Sequence, residues 1–200
     1  IMMHTLERFF HSGCTLELTD KVPIALIKEV MECGKKALEE PDDYDARANI
    51  MWAGSLSHNG LMNVGNDSRG DWACHQLEHE LSGKWDVAHG AGLAAIWASW
   101  AEYVYKTNPE RFALLGEGLF DLERDADIEK EALLTISKME AYFKSIGMPT
   151  SLSELSIKAS EKDIDELAEK CTFFGKRKIG SFQPLGKEDM IAIYKKANER

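Results

Sequence analysis

Apolar side chains recur at three- and four-residue intervals along most of the chain, and clean alternation over five or more residues is hard to find. That period predicts helices almost throughout and nearly no strands, an all-α fold. Met2 or Met3, Leu6, Phe9 and Phe10 already follow it, with no Ser, Thr, Asp or Asn ahead of them as a cap, so the chain reads as beginning inside a helix. Thr19-Asp20 is the expected cap of a second helix, with Pro23 in its first turn and Ile24, Ile27, Val30, Met31 and Leu38 as its apolar set, running to Glu40 before Pro41. A third starts between Asp42 and Asp45, carries Ile50, Met51, Ala53, Leu56 and Leu61 towards Val64, and breaks at Gly65-Asn66-Asp67. Residues 69–82 predict a fourth helix ended by Gly83, with Lys84-Trp85-Asp86 in a short loop. Residues 87–105, rich in small and aromatic side chains, predict a buried one.

Pro109 opens the next helix, and Asp125 or Asp127 caps a longer one to Ile146, closed by Gly147. Ser160 to Asp163 has the form of a capping box leading into Ile164, Leu167 and Ala168, and residues 187–198 form the last helix. Between them residues 173–185 are Gly-rich and irregular. Neither an internal repeat nor a low-complexity tract interrupts this series.

Composition narrows the function classes. The chain has 200 residues with 24 basic against 34 acidic side chains, a formal charge of −10. With no Lys/Arg block, it is a poor nucleic-acid binder, because such affinity comes mainly from cations that displace condensed counterions. The most apolar windows, such as residues 91–101, fall short of the roughly 18–20 residues that cross a bilayer, and no signal peptide opens the sequence, so a cytoplasmic protein is expected. Cys14, Cys33, Cys74 and Cys171 lie far apart without a C-x-x-C pair, which points to reduced thiols rather than a disulfide framework.

Histidine is where chemistry concentrates. His75, His79 and His89 fall within fifteen residues. At a spacing of four, His75 and His79 project from one helix face about a turn apart. His89 follows a turn where the chain can double back, and His4 on another helix can complete an imidazole cluster suited to zinc or ferrous iron. A single apolar-face histidine is usually a hydrogen-bonded core residue, but three so close, flanked by Gly83, Gly90 and Gly92, favour a metal site. His75-Gln-Leu-Glu78-His79 also fits the H-x-x-E-H of zinc hydrolases in which Glu is the base, a weakly specific pattern. Gly90-Ala-Gly92-Leu-Ala-Ala95 imitates a dinucleotide fingerprint, but that needs a preceding strand where a helix is predicted; small residues for close helix packing are the better reading. Met2-Met3 and Trp97/Trp100 read as core. Cys74, beside a candidate ligand, has nothing nearby to activate it as a nucleophile.

Longer motifs carry a resemblance. Met51-Trp52-Ala53-Gly54 through Asn59-Gly60-Leu61, then Asp71-Trp72-Ala73-Cys74-His75, Leu77, His79-Glu80-Leu81 and Asp86-Val87-Ala88-His89 resemble consecutive segments of the iron-containing alcohol dehydrogenases, in the branch of butanol dehydrogenases and NAD(P)H-dependent aldehyde reductases. The likeness covers essentially all of residues 1–200, more loosely after Ser160. It implies the multi-helix, metal-binding C-terminal domain of that dehydroquinate synthase-like fold, without the N-terminal α/β nucleotide-binding domain.

It also implies that His75 and His89 are metal ligands, that His4 is a third from a D-x-x-x-H helix whose aspartate would stand just before Ile1, and that His79 lies beside the site as a proton relay. Cofactors would then be a divalent metal, iron or zinc, and NAD(P)H held by the other domain, with no cofactor-binding residue here. Partners would be a small alcohol or aldehyde substrate and, as is common in the family, a second copy in a homodimer. The 200 residues alone would be inactive. Two alternatives remain: a zinc hydrolase using His75, Glu78 and His79, and a non-catalytic helical domain.

Overall fold

A computed structural model describes residues 1–11, 13, 16–66 and 69–200. Among them the regular structure is helical: α1 (Met2–Phe9), α2 (Glu17–Glu39), α3 (Tyr44–His58), α4 (Ala73–Trp85), α5 (His89–Val104), α6 (Pro109–Phe120), α7 (Ile128–Ser145), α8 (Glu161–Cys171) and α9 (Lys187–Glu199). The predicted all-α fold is what forms. Short 3-10 turns join several helices, and the irregular 173–185 segment closes on one antiparallel bridge between Ile179 and Leu185. Cys33, Cys74 and Cys171 are free thiols; Cys14 lies outside the described residues.

α5 is the axis. Residues from Leu93 to Ala101 are all at most 2% exposed, so every face of this stretch meets protein, as its small and aromatic composition predicts. It packs on α4, α7 and α9, while α2 lies on α3 and α6 on α7. Phe10 at the end of α1 joins Trp100 of α5, Phe112 of α6 and Phe182 of the irregular segment in an aromatic cluster, with centroids 5.4, 4.6 and 5.6 Å from its own ring. This cluster ties the first helix, which carries His4, to the centre of the domain. Met2, Met3, Trp97 and Trp100 are core, as read.

Several boundaries differ from the sequence reading, each for an identifiable physical reason. α2 starts before Thr19, whose hydroxyl bonds Val64 O at 2.5 Å instead of capping the helix. Pro23 consequently falls in the second turn. α3 stops at His58; Gly60, at φ +82°, turns the chain into a single 3-10 turn at Leu61–Asn63 before the predicted break, of which Asp67 lies outside the described residues. α4 begins at Ala73 rather than residue 69, because Gly70 and Trp72 are left-handed and Asp71 is drawn aside: its Oδ1 accepts the amides of Ser181 and Phe182 at 2.8 and 2.7 Å. Gly83 sits inside α4 and does not end it. Lys84, predicted in the loop, extends the helix by binding Glu166 and Asp163 of α8 at 2.6 and 3.0 Å, and the left-handed Asp86 makes the turn instead.

The predicted capping box forms at α8: the Ser160 hydroxyl receives the Asp163 amide at 3.2 Å and the Asp163 carboxylate receives the Ser160 amide at 2.9 Å. The Ser160 hydroxyl and amide, then Lys84, hold the Asp163 carboxyl down to about 2. A folded value below the roughly 3.9 of an unfolded aspartate stabilises the fold fully above about pH 4, and this contribution fades as pH falls towards 2. Acid unfolding followed by circular dichroism should therefore be shallower between those limits in Asp163→Asn, which has no such proton to gain.

Candidate metal centre

The centre is assembled where α1, α4 and the start of α5 meet. α4 and α5 are packed on each other through the short link 86–88, which brings His89, first residue of α5, back beside His75 and His79. The doubling-back read from the sequence thus occurs, turned by Asp86. α1 crosses the N-terminus of α4, where Glu7 O accepts the Asp71 amide at 2.7 Å. Gly70 is required at this crossing: at φ +101°, a Cβ there would come within 2.6 Å of Glu7 O.

All four histidines singled out by the sequence converge. The His75 ring lies 4.5 Å from His4, 5.3 Å from His89 and 6.3 Å from His79; His79 stacks on His89 at 5.7 Å. His75 forms the floor, with 5% of its side chain exposed, whereas His89 and His79 are exposed at the rim. Donor atoms of Glu78, His79 and His89 can also lie within 4.8 Å of one another, a second possible grouping on the same face.

Buried carboxylates stand behind the imidazoles. Glu7 Oε1 accepts the His75 backbone amide at 3.0 Å and lies within hydrogen-bond distance of its Nδ1, at 3.1 Å. Burial raises the Glu7 carboxyl to about 8, opposed by amides at the start of α4. Glu78, wholly buried on α4, receives His89 Nδ1 on one oxygen and faces the Ser82 hydroxyl with the other. Its two oxygens are thus engaged by Ser82 of α4 and by His89 at the start of α5.

His75 Nε2 is buried and has no hydrogen-bond partner among the described residues. Burial and then the neighbouring His89 and His79 push the His75 imidazole down to about 3; burial and then His75 and His58 do the same to His4. Both rings therefore stay neutral at physiological pH, the form that offers a lone pair. An orphaned buried nitrogen among neutral imidazoles, backed by carboxylates, fits a borderline divalent ion such as zinc or ferrous iron.

The family model described as Fe-containing alcohol dehydrogenase family, C-terminal, matches residues 1–198. The chain belongs to the iron-containing alcohol dehydrogenase family. It is 35% identical over 198 residues to NADH-dependent butanol dehydrogenase A of Clostridium acetobutylicum, covering 98% of this chain and 50% of that one. It is 30% identical to the NADPH-dependent aldehyde reductase of Escherichia coli, covering 98% and 49%. The crystal structure of NADH-dependent butanol dehydrogenase A from Thermotoga maritima superposes with a TM-score of 0.90 at 33% identity, over 98% of this chain and 50% of that one. The chain therefore spans about half the length of the iron-containing dehydrogenases it matches, and corresponds to their helical C-terminal domain.

Two residues of this dehydrogenase domain escaped the sequence reading. His58 packs against His4 with centroids 4.0 Å apart and the rings tilted by 34°, its Nδ1 held by Gly54 O at 2.8 Å and the Ser57 hydroxyl at 2.7 Å. A histidine at a helix end just before Asn59-Gly60 was the available signal. Glu7 is the other; a carboxylate on the apolar helix three residues after His4 was its signal.

Proposed function

We propose that the full-length protein interconverts primary alcohols and aldehydes with NAD(P)H, and that this domain holds the divalent metal through His4, His75 and His89. The observation that carries the reading is the buried, unpartnered His75 Nε2 in a cluster whose other rings come from α1 and α5. Relatives named as butanol dehydrogenases and aldehyde reductases support the substrate class and the nicotinamide. NAD(P)H would be bound by the part of the relatives that this chain does not match, consistent with a second domain and with inactivity of residues 1–200 alone.

When bound, the metal supplies Lewis acidity that polarises a carbonyl or stabilises alkoxide charge. The protein's residues do the rest. His75, at the floor, and His4, half-buried, hold neutral donors in place, while the exposed side of the cluster leaves room for substrate. His79 is exposed and stacked on His89, which supports the role proposed for it, exchange of a proton between the substrate oxygen and water.

Reduction of butanal by the full-length protein, followed through NADH or NADPH consumption, tests the reading; no turnover with either nucleotide in the metal-loaded protein would contradict it. His79→Gln should lower turnover by about 10²–10⁴-fold and flatten the pH–rate profile while metal content stays at the wild-type level. An unchanged profile and rate would remove His79 from the mechanism.

A further inference from the structure

The two buried glutamates behind the cluster do different work from the imidazoles. Glu7 comes from α1 and Glu78 from α4, and each meets the Nδ1 of a different histidine, His75 and His89. Both side chains are at most 3% exposed. A buried carboxylate is costly unless its oxygens are used, so two at one place require an explanation beyond packing.

Glu7 Oε1 accepts the His75 backbone N–H and lies 3.1 Å from the ring's Nδ1, so with its lone pairs turned to α4 it is placed to accept from a ring proton on Nδ1 as well. Glu7 Oε2 has no partner among the described residues. At the second site the Ser82 hydroxyl, which also faces Val87 O at 3.1 Å, fixes the other oxygen of Glu78 and leaves Oε2 to accept from His89. Room for this carboxylate comes from Gly92: a Cβ there would stand 2.7 Å from Glu78 Oε1 and 2.8 Å from its Cγ. By contrast a Cβ at Gly90 would meet nothing within 4 Å, so the space on α5 is made specifically against Glu78.

We propose that Glu7 and Glu78 are a matched pair of positioning residues that lock His75 and His89 in the Nδ1–H tautomer and ring orientation, leaving each Nε2 as the free donor. The inference rests on the metal assignment above. It gives His75 and His89 each a carboxylate from a different helix, so that the meeting of α1 with α4 and of α4 with α5 sets the donor geometry. Loss of such an outer partner typically weakens metal binding by about 10–100-fold.

Nitrogen-15 NMR of histidine-labelled, metal-free full-length protein reads the tautomers directly. The expected result is a proton on Nδ1 of both His75 and His89; a proton on Nε2 of either overturns the proposal, with no variant required. Zn²⁺ affinity, measured by competition with a chromophoric chelator, should fall by about 10–100-fold in Glu78→Leu. It should recover in part in Glu78→Gln, whose amide oxygen still accepts from Nδ1. Gly92→Ala should weaken Zn²⁺ binding as well, by displacing a chemically intact carboxylate, with helix content unchanged by circular dichroism. Wild-type affinity in both Glu78→Leu and Gly92→Ala would overturn the positioning role alone, whereas a wild type that binds no Zn²⁺ would overturn the metal assignment on which it rests.

Discussion

His75→Ala in the full-length protein is expected to strip the metal and reduce aldehyde turnover to background. His75 is the floor of the cluster: its ring touches those of His4, His79 and His89, and its Nε2 is buried with no other use among the described residues. Removing it deletes a donor and also leaves Glu7 Oε1 without one of its two hydrogen bonds. The loss of metal affinity should exceed the roughly 10–100-fold typical of an outer partner, because a direct ligand is lost. Elemental analysis of the purified variant, alongside its turnover, makes the check. Wild-type metal stoichiometry would remove His75 from the ligand set.

Asp20→Ala carries the largest expected effect on stability. Asp20 on α2 pairs with Arg111 on α6 at 2.7 Å, and both are 7% exposed. The same guanidinium donates to Phe9 O at the end of α1 and lies 4.0 Å from the Phe9 ring, so one cation fastens three helices. Without Asp20 that cation stays buried and uncompensated, which typically destabilises a fold by about 3–5 kcal/mol. Urea unfolding at neutral pH should show the loss as a lower midpoint. The double variant Asp20→Leu/Arg111→Met should regain much of it, because a buried pair replaced by apolar groups leaves no stranded charge. A change below about 1 kcal/mol in Asp20→Ala would show that Arg111 finds another partner.

Much of this architecture is legible in the sequence, for definable reasons. A 3.6-residue apolar period reports which face of a helix is buried, so the presence of α5, α7 and α8 and the capping at Asp127 and Ser160 follow from local chemistry. At the starts of α2 and α4 and at the end of α4, the deciding contact was distant in sequence. Asp71 is drawn to the amides of Ser181 and Phe182, Thr19 to Val64, and Lys84 to α8. No local pattern encodes those partners.

The site divides in the same way. His75 and His79 were visible because a four-residue spacing puts them on one face, and His89 because it follows directly. His4 was visible as a further imidazole on another helix, and its ligand role came from the family likeness. Glu7 and His58 were missed because each is one residue on an otherwise ordinary helix, given meaning only by where α1 and α3 cross the cluster. Glu78 was seen as a catalytic base candidate; its place against His89 and Ser82, in the space left by Gly92, depends on partners that no local pattern encodes.

The central claim is that His4, His75 and His89 hold the ion. A crystal structure of the metal-loaded full-length protein, with anomalous data collected across the metal edge, tests it most directly. One anomalous peak is expected about 2.0–2.1 Å from the Nε2 atoms of all three, with Glu7 and Glu78 bonded to the Nδ1 atoms of His75 and His89 behind them. A peak held instead by Glu78, His79 and His89, with His75 Nε2 left unbound, would contradict it.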